Sequence, residues 1–315
     1  GAILGNGNGG FPNLEQGAGV LFEKGGMRIE PLFVPKILPN MAAANVAMRF
    51  GLLGYNTTVV TACAAGTQAI GEALEVIRRG AADVVVTGGT EAGFSQLGLG
   101  GFAVMRALTT HNDEPEKASR PFDADRDGFV PAEGAAILIL EREEHATARG
   151  ARIRAEVSGF GCSADAYHLV MPDETGDGPV RAIRWAMEDA GVSPDDIDYI
   201  NAHGTSTPLN DVSETRAVKK ALGEAAYKVA VSSTKSMIGH TFGAAGAIES
   251  VATIRALETG IIPPTINLDT PDPECDLDYV PNKARRADLR VALKNSFGFG
   301  GQNACLIYRR ARTDA

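Results

Sequence analysis

The sequence has little cysteine and little histidine, with four and five of these residues among 315. The cysteines stand far apart and form no CxxC pair, so the pattern indicates neither a metal site nor a dense disulfide framework. Such cysteine usage is typical of a reducing compartment, which predicts a cytoplasmic protein, or an organellar matrix protein if a transit peptide precedes this sequence. The four thiols belong to Cys63, Cys162, Cys275 and Cys305.

Long apolar runs and excess positive charge are also missing. No stretch reaches the roughly 20 apolar residues of a membrane-spanning helix, and no signal-peptide pattern opens the chain. We therefore expect a protein that neither crosses a membrane nor is secreted. The net charge of -9 argues against nonspecific nucleic-acid binding, but it leaves room for a local basic patch that faces an acidic partner.

Two motifs lack the context that would give them a function. The run GNGNGG at residues 5–10 is similar to a dinucleotide-binding loop, but no βαβ unit or ribose-binding acid follows, so we expect no nicotinamide cofactor. The run DADRDG at residues 123–128 is similar to half of a calcium loop, yet Gly134 occupies the twelfth position and Glu133 comes one place early. We interpret this run as a polar turn that organises the fold.

Strand-like and helix-like segments alternate along the chain, which is typical of an α/β fold. The alternation is interrupted by a charged segment near residues 144–152 and then restarts. We therefore predict two similar halves, residues 1–150 and residues 151–315. The opening segment AILGNGNGGF is typical of the end of a strand, so we expect that an N-terminal portion precedes it.

Cys63 stands where a β-branched run ends and a small-residue helix begins. Residues 58–61 predict a buried strand, and residues 64–79 carry apolar residues at helical spacing. The free N–H groups and partial positive charge of a helix start favour the thiolate, which is the reactive form. Cys63 is therefore a candidate nucleophile, although a buried structural cysteine is the ordinary alternative.

A second strand-to-helix junction has a similar composition. His240 lies just ahead of a predicted helix over residues 241–257, as Cys63 does in the first half. His203 in NAHGTSTPLND and Lys235 in SSTKSMIGH also stand at strand exits or loops, where functional groups concentrate. Each histidine alone would ordinarily be structural. Together with Cys63 they form a set that nucleophilic acyl chemistry can use.

These segments, together with NSFGFGGQN and SRPFDADRDGFVPAEGA, closely resemble the β-ketoacyl-[acyl-carrier-protein] synthases, particularly the type II elongating enzymes. The motifs follow the family's order and spacing over the whole chain. The resemblance implies a thiolase fold, with two pseudo-repeated α/β halves in a five-layer αβαβα stack. It also implies that roughly the first quarter of the polypeptide is absent, and it implies a homodimer that needs no organic cofactor.

The resemblance implies a role for each candidate. Cys63 would hold the growing acyl chain as a thioester. His203 and a neutral His240 would act on malonyl-acyl-carrier protein in the decarboxylative Claisen condensation, with Lys235 organising the pocket electrostatically. The backbone N–H groups of Cys63 and Phe299 would form an oxyanion hole. Gly298, Gly300 and Gly301 would allow the backbone to approach closely and to move as a gate beside Phe299.

Further positions are implied for binding and specificity. Thr205 and Thr207 would bind the phosphopantetheine arm that arrives on the acyl carrier protein. Phe102, His168 and Asn8 would lie near the acyl pocket, with ordinary packing as the alternative for the first two. Contact with the acidic carrier protein would use Arg28 and Arg106.

Departures from the family pattern leave the substrate open. Asn8 is polar where many relatives have an apolar residue, Val170 and Met171 replace hydroxyl residues, and Gln302 replaces a threonine. A polyketide ketosynthase is the nearest alternative function. A noncatalytic chain-length-factor-like partner would lack the nucleophile that Cys63 supplies. A degradative thiolase would need a second reactive cysteine, for which only Cys305 is placed, in a predicted strand.

Overall fold

A computed structural model describes residues 1–311 of the chain. Its strands and helices alternate as the sequence predicts, and their bounds follow. The strands are β1 Ala2–Gly5, β2 Asn56–Val59, β3 Val84–Glu91, β4 Gly134–Glu141, β5 Ala155–Ala164, β6 Tyr199–Asn201, β7 Ala230–Ser232, β8 Ile261–Ile262, β9 Arg285–Arg286, β10 Val291–Gly298 and β11 Gln302–Arg310. The helices are α1 Phe11–Lys24, α2 Phe33–Ile37, α3 Met41–Phe50, α4 Ala65–Arg78, α5 Gln96–Val104, α6 Glu143–Ala148, α7 Asp177–Ala190, α8 Pro208–Leu222, α9 Lys235–Ile238 and α10 Ala245–Thr259.

Two sheets form the framework. The first has the order β2-β1-β3-β4, and the second has the order β5-β11-β10-β6-β7. In each sheet three strands are parallel and the next is antiparallel: β4 pairs with β3, and β11 pairs with β10. Within the described residues, β4 ends the first sheet, and its Ile137 and Ile139 are exposed.

The two halves repeat one another in detail. The order β2-β1-β3-β4 corresponds to β7-β6-β10-β11, and β5 extends only the second sheet. Each half also carries the same junction, a 3₁₀ turn that leads directly into a buried helix. Residues 62–64 precede α4, and residues 242–244 precede α10. The first residue of each turn, Ala62 or Phe242, has a positive φ of 48° or 47°.

Five layers stack in the order helix, sheet, helix, sheet, helix. α3 packs on β1, α4 and α10 lie between the sheets, and α7 and α8 cover the second sheet. The largest apolar core lies between that sheet and its outer helices. The thiolase-type αβαβα arrangement predicted from the sequence is therefore confirmed.

The first residue of the helix that follows His240 was predicted wrongly. Residues 241–257 were expected to be helical, but α10 starts at Ala245 because the 3₁₀ turn comes first. His240 itself is extended and forms an isolated bridge with Pro131. Its backbone is bonded on both sides, with its N–H donating to Val130 O at 2.7 Å and its carbonyl accepting from Ala132 N at 2.9 Å.

The motifs GNGNGG at residues 5–10 and DADRDG at residues 123–128 both have structural roles. In the first, the N–H groups of Gly7 and Asn8 donate to the Glu91 carboxylate at 2.8 and 3.1 Å, so this loop is occupied by a side chain of its own chain. In the second, buried Asp123 accepts hydrogen bonds from the backbone of Asp125, Asp269 and Thr270. The turn thus fastens a distant loop, as the sequence interpretation predicted.

Two features are absent from residues 1–311. No helix among them combines the length and the apolarity that crossing a bilayer would need. No group of three or more His, Cys, Asp or Glu side chains in that range is arranged to hold a metal ion.

The two central helices touch through glycine. A Cβ added to Gly66 would lie 2.8 Å from the carbonyl oxygen of Gly243 and 2.9 Å from the backbone nitrogen of Ala247. A Cβ on Gly246 would lie 2.1 Å from Thr67 Oγ1. Side chains at these positions would push α4 and α10 apart, so the sequence needs glycine here.

We expect Gly246→Ala to destabilise the fold by about 1–3 kcal/mol, because the added methyl overlaps Thr67 between two backbones that cannot both move. Urea unfolding followed by circular dichroism measures the change. The matched control is Gly19→Ala in α1, where nothing lies within 4 Å of the added Cβ. That control should gain helix stability, and equal midpoints for the two variants would contradict the packing argument.

Candidate active site

One cavity of about 370 Å³ collects most of the predicted site residues. It opens where the 3₁₀ turn before α4, the end of β10 and the loop after β6 meet. Most of its lining is apolar. The predicted candidates that line it are Cys63, Phe102, Arg106, Val170, Met171, His203, Thr205, Thr207, His240, Gly298, Phe299 and Gly301.

Cys63 lies in the 3₁₀ turn at residues 62–64, directly before α4. The expected thiolate is not favoured. Burial raises the pKa of its thiol to about 12, although the positive charge of Lys235 acts in the opposite direction. The expectation failed because loss of solvent outweighs the helix-start charge on which it rested. Cys63 therefore rests as a thiol.

His203 is buried and is held by Lys235. The ammonium of Lys235 lies 3.3 Å from His203 Nδ1 and donates to the His203 carbonyl at 2.6 Å. Because an ammonium can only donate, Nδ1 of His203 is the acceptor and its ring proton is on Nε2. Burial, with the nearby Lys235 charge, lowers the pKa of His203 well below its usual value, so the ring is neutral.

His240 reaches the same protonation state by a different route. Its Nδ1 accepts a hydrogen bond from the backbone N–H of Phe242 at 3.3 Å, which leaves the proton on Nε2. Burial and the charge of Lys235 lower its pKa well below the usual value. The predicted neutral His240 is thus supported by the geometry, and its ring centroid lies 5.5 Å from that of His203.

Lys235 is buried rather than exposed, with 1% of its surface accessible. Its ammonium pairs with Glu249 of α10 at 2.5 Å. A second buried carboxylate, Glu214 of α8, accepts from the N–H groups of His203 and Gly204 at 2.8 and 2.7 Å. These contacts fix the histidine backbone and the lysine together.

The backbone of Gly298 lies against the 3₁₀ turn at residues 62–64. A Cβ on Gly298 would lie 2.8 Å from the carbonyl oxygen of Thr61 and 3.0 Å from the nitrogen of Cys63. Close approach, predicted for this glycine, brings residue 299 beside Cys63. Gly300 and Gly301 have φ of 81° and 68°, which suits the reversal between β10 and β11.

Aromatic rings form one wall of the cavity. Phe102 stacks on Phe242 with centroids 5.0 Å apart, and Phe129 meets His240 edge to face at 5.2 Å. In the cavity lining, the hydroxyls of Thr205 and Thr207 share a 2.8 Å hydrogen bond. Arg106 also lines the cavity, and its backbone has a positive φ of 56°.

Besides Lys235 and Gly300, three predicted residues are absent from the lining of this cavity. His168 is on an exposed loop, where Nδ1 accepts from the N–H groups of Val170 and Met171 at 3.1 Å. Asn8 follows β1 and is anchored through Glu91. Arg28 is exposed in a 3₁₀ turn at residues 26–28. His168 and Asn8 thus do not line this cavity themselves, although Val170 and Met171, which bond to His168, do.

Sequence reasoning missed the buried charges that support the site. Glu249, Glu214 and Lys294 are each at most 2% exposed. The available signal was a charged residue inside an otherwise apolar or small-residue element, such as Lys294 in VALKNSF. Phe129, Phe242 and Phe297 were missed for another reason, because apolar packing has no distinctive local pattern.

Comparison with known proteins supports this geometry. The description "Beta-ketoacyl synthase, N-terminal domain" matches residues 1–146, and "Beta-ketoacyl synthase, C-terminal domain" matches residues 154–269. A 3-oxoacyl-[acyl-carrier-protein] synthase 2 from Synechocystis sp. is 52% identical over 98% of this chain and 74% of its own length. The protein of the same name from Coxiella burnetii is 50% identical over 98% of this chain and 75% of its own length.

Solved structures agree. A β-ketoacyl synthase from Burkholderia phymatum superimposes with a TM-score of 0.93 at 40% identity, covering 99% of this chain and 75% of that one. A type II polyketide ketosynthase, in complex with its acyl-carrier protein, gives a TM-score of 0.91 at 39% identity, covering 98% of this chain and 78% of that one.

The resting state of Cys63 can be tested by alkylation. Because only the thiolate reacts, the rate with iodoacetamide should keep rising with pH to about pH 10 without a plateau. Lys235→Met should slow the reaction further, since the Lys235 charge lowers the pKa of the thiol. Mass spectrometry of the Cys63 peptide measures the rate, with Cys63→Ala as the blank. A plateau near neutral pH would show a resting thiolate and contradict the effect of burial.

Proposed function

The chain belongs to the β-ketoacyl synthase family, and from that premise we propose how its cavity carries out chain elongation. It is a 3-oxoacyl-[acyl-carrier-protein] synthase, an acyltransferase of fatty-acid synthesis, in line with relatives at about half sequence identity. The observation that carries the mechanism is that one half-buried thiol and two neutral imidazoles line a single cavity.

The first half-reaction acylates Cys63. Its sulfur attacks the thioester carbonyl of acyl-carrier protein, a new C–S bond forms, and the phosphopantetheine sulfur leaves with the thiol proton. Thr205 and Thr207 in the cavity lining bind the arm through their hydroxyls. The backbone N–H groups of Cys63 and Phe299 stabilise the oxyanion that develops on the carbonyl.

The second half-reaction forms the carbon–carbon bond. Malonyl-carrier protein loses carbon dioxide, and the electron pair of the broken bond becomes an enolate. Its oxygen accepts hydrogen bonds from Nε2 of His203 and of His240, both of which carry the ring proton. The enolate carbon then attacks the Cys63 thioester, and the cysteine sulfur leaves and regains a proton.

Related activities fit the chain less well. A polyketide ketosynthase would use the same residues, but the fatty-acid relatives are 52% and 50% identical against 39% for the polyketide structure. A chain-length-factor-like partner would not need Cys63. A degradative thiolase would need Cys305 as a base, yet Cys305 is buried in β11, where its sulfur donates to Asn295 Oδ1 at 3.3 Å.

The partner that delivers both substrates is acyl carrier protein, which one structural neighbour binds. We propose that Arg106, at the cavity, and Arg28, on an exposed turn, meet its acidic surface. Phosphopantetheine then arrives on the carrier, and the reaction as proposed uses no separate organic cofactor.

We further propose that the protein acts as a homodimer. β2 ends the first sheet among the described residues, and large apolar side chains beside it are exposed: Phe50 is 67% exposed, Leu53 is 99% exposed and Val60 is 52% exposed. An exposed apolar patch is typical of a protein–protein interface. The occupant proposed for this patch is a second copy of the chain.

The mechanism predicts that Cys63→Ala loses acylation but keeps decarboxylation. Acyl-carrier protein should add its acyl mass to the wild-type protein at Cys63, and Cys63→Ala should show no such mass. The variant should still decarboxylate malonyl-carrier protein, because His203 and His240 remain. Intact-protein mass spectrometry and carbon dioxide release measure the two steps. Acyl label on another residue would overturn the mechanism, and loss of both activities in a folded variant would contradict the division of roles.

The dimer proposal predicts that Val60→Glu shifts the protein to a monomer, because a carboxylate would be buried without a partner. Analytical ultracentrifugation measures the mass. The control is Trp185→Glu on α7, which also replaces an exposed apolar residue (46% exposed) but lies on the second half. A wild-type monomer, or dissociation by both variants, would argue against this surface.

A further inference from the structure

Lys294 is a lysine in the middle of a buried sheet. It lies in β10, between Asn201 of β6 and Leu306 of β11, and its exposure is 0%. Lysine is almost never fully buried without a partner, because the desolvated ammonium is costly. The proposed reaction gives this residue no role, and it does not line the cavity.

The partner of Lys294 is Glu249. The ammonium lies 2.7 Å from Glu249 Oε2, and it also donates to Ser296 Oγ at 3.1 Å and to the carbonyl oxygen of Asn295. The other carboxylate oxygen of Glu249 pairs with Lys235. One buried carboxylate is thus shared by two buried lysines.

The contacts continue to the catalytic histidine. Lys235 donates to the His203 carbonyl and lies against His203 Nδ1. A carboxylate paired with a single lysine could rotate, whereas Glu249 has one ammonium at each oxygen. Lys294 therefore fixes the carboxylate that fixes Lys235, and Lys235 keeps the ring proton of His203 on Nε2.

Building on the proposed function, we propose that Lys294 is a positioning residue for the condensation half-reaction, which acts through Glu249 and Lys235 on His203. It touches no substrate atom in this arrangement. Its loss would loosen the donor that stabilises the enolate and would leave the cavity lining unchanged.

The charge of Lys294 acts in the same direction as its contacts. The groups that face His203 are Lys235, Lys294, His240 and the carboxylates Glu214 and Glu249. After burial, the positive charges of Lys235 and Lys294 help to lower the pKa of His203 and of His240. Lys294 thereby favours the neutral rings that donate to an enolate.

The test separates the two half-reactions. Lys294→Met keeps an unbranched side chain, one atom shorter, and removes the ammonium. We expect kcat for condensation and the rate of malonyl decarboxylation to fall about 10- to 100-fold, as for a displaced catalytic group. The KM for acyl-carrier protein and the acylation of Cys63 should stay at wild-type values. Lys228→Met, at an exposed lysine, is the matched control and should change neither step.

A double-mutant cycle tests the route through Glu249. Glu249→Gln alone should reproduce the selective loss of condensation. Adding Lys294→Met to Glu249→Gln should cost no more than Glu249→Gln alone, because residues that act through one another are not additive. Additive losses would overturn the route.

Other outcomes are also decisive. Wild-type kcat in Lys294→Met, or equal loss of acylation and condensation, would overturn the proposal. If Lys294→Met does not fold by circular dichroism, Glu249→Gln carries the test, since it is nearly isosteric, and equal loss of both steps there would overturn it. If Cys63 of the wild-type protein is not acylated, the proposed function is wrong. If the wild type is active and Lys294→Met has no effect, only the role of Lys294 is wrong.

Discussion

The backbone contact between α4 and α10 is the constraint on which the site depends. Gly66, Gly243 and Gly246 let two helix starts approach until only main-chain atoms and one threonine hydroxyl separate them. Each helix start carries a preceding turn, and those turns hold Cys63 and Phe242. If the helices were separated by ordinary side chains, the thiol from one half and the imidazole from the other could not share one cavity.

The site also depends on charged side chains that are buried behind it. Glu249, Lys235 and Lys294 are nearly inaccessible, and Glu214 fixes the adjoining histidine backbone. Desolvating these groups opposes folding, and good geometry only offsets that cost. Their arrangement makes chemical sense, because the same low-dielectric surroundings keep both histidines neutral and strengthen every hydrogen bond that they offer to an enolate.

The α/β repeat was predictable from the sequence, because strand and helix periodicity are local signals. The candidates Cys63, His203, Lys235 and His240 were also found, since reactive side chains at strand exits stand out in small-residue segments. The thiolate of Cys63 was predicted wrongly, because its burial depends on parts of the chain distant in sequence. The pairing of Lys294 with Glu249 depends on tertiary contacts, which no spacing rule reports.

The unpaired edge of β4 affects how residues 1–311 associate in solution rather than the chemistry of the site. Within residues 1–311 this strand has a neighbour on one side only, and Ile137 and Ile139 beside that edge face solvent. Unpaired strand edges act as templates for further strands. A solution of residues 1–311 alone would therefore associate through this edge as its concentration rises, before heat unfolds the fold.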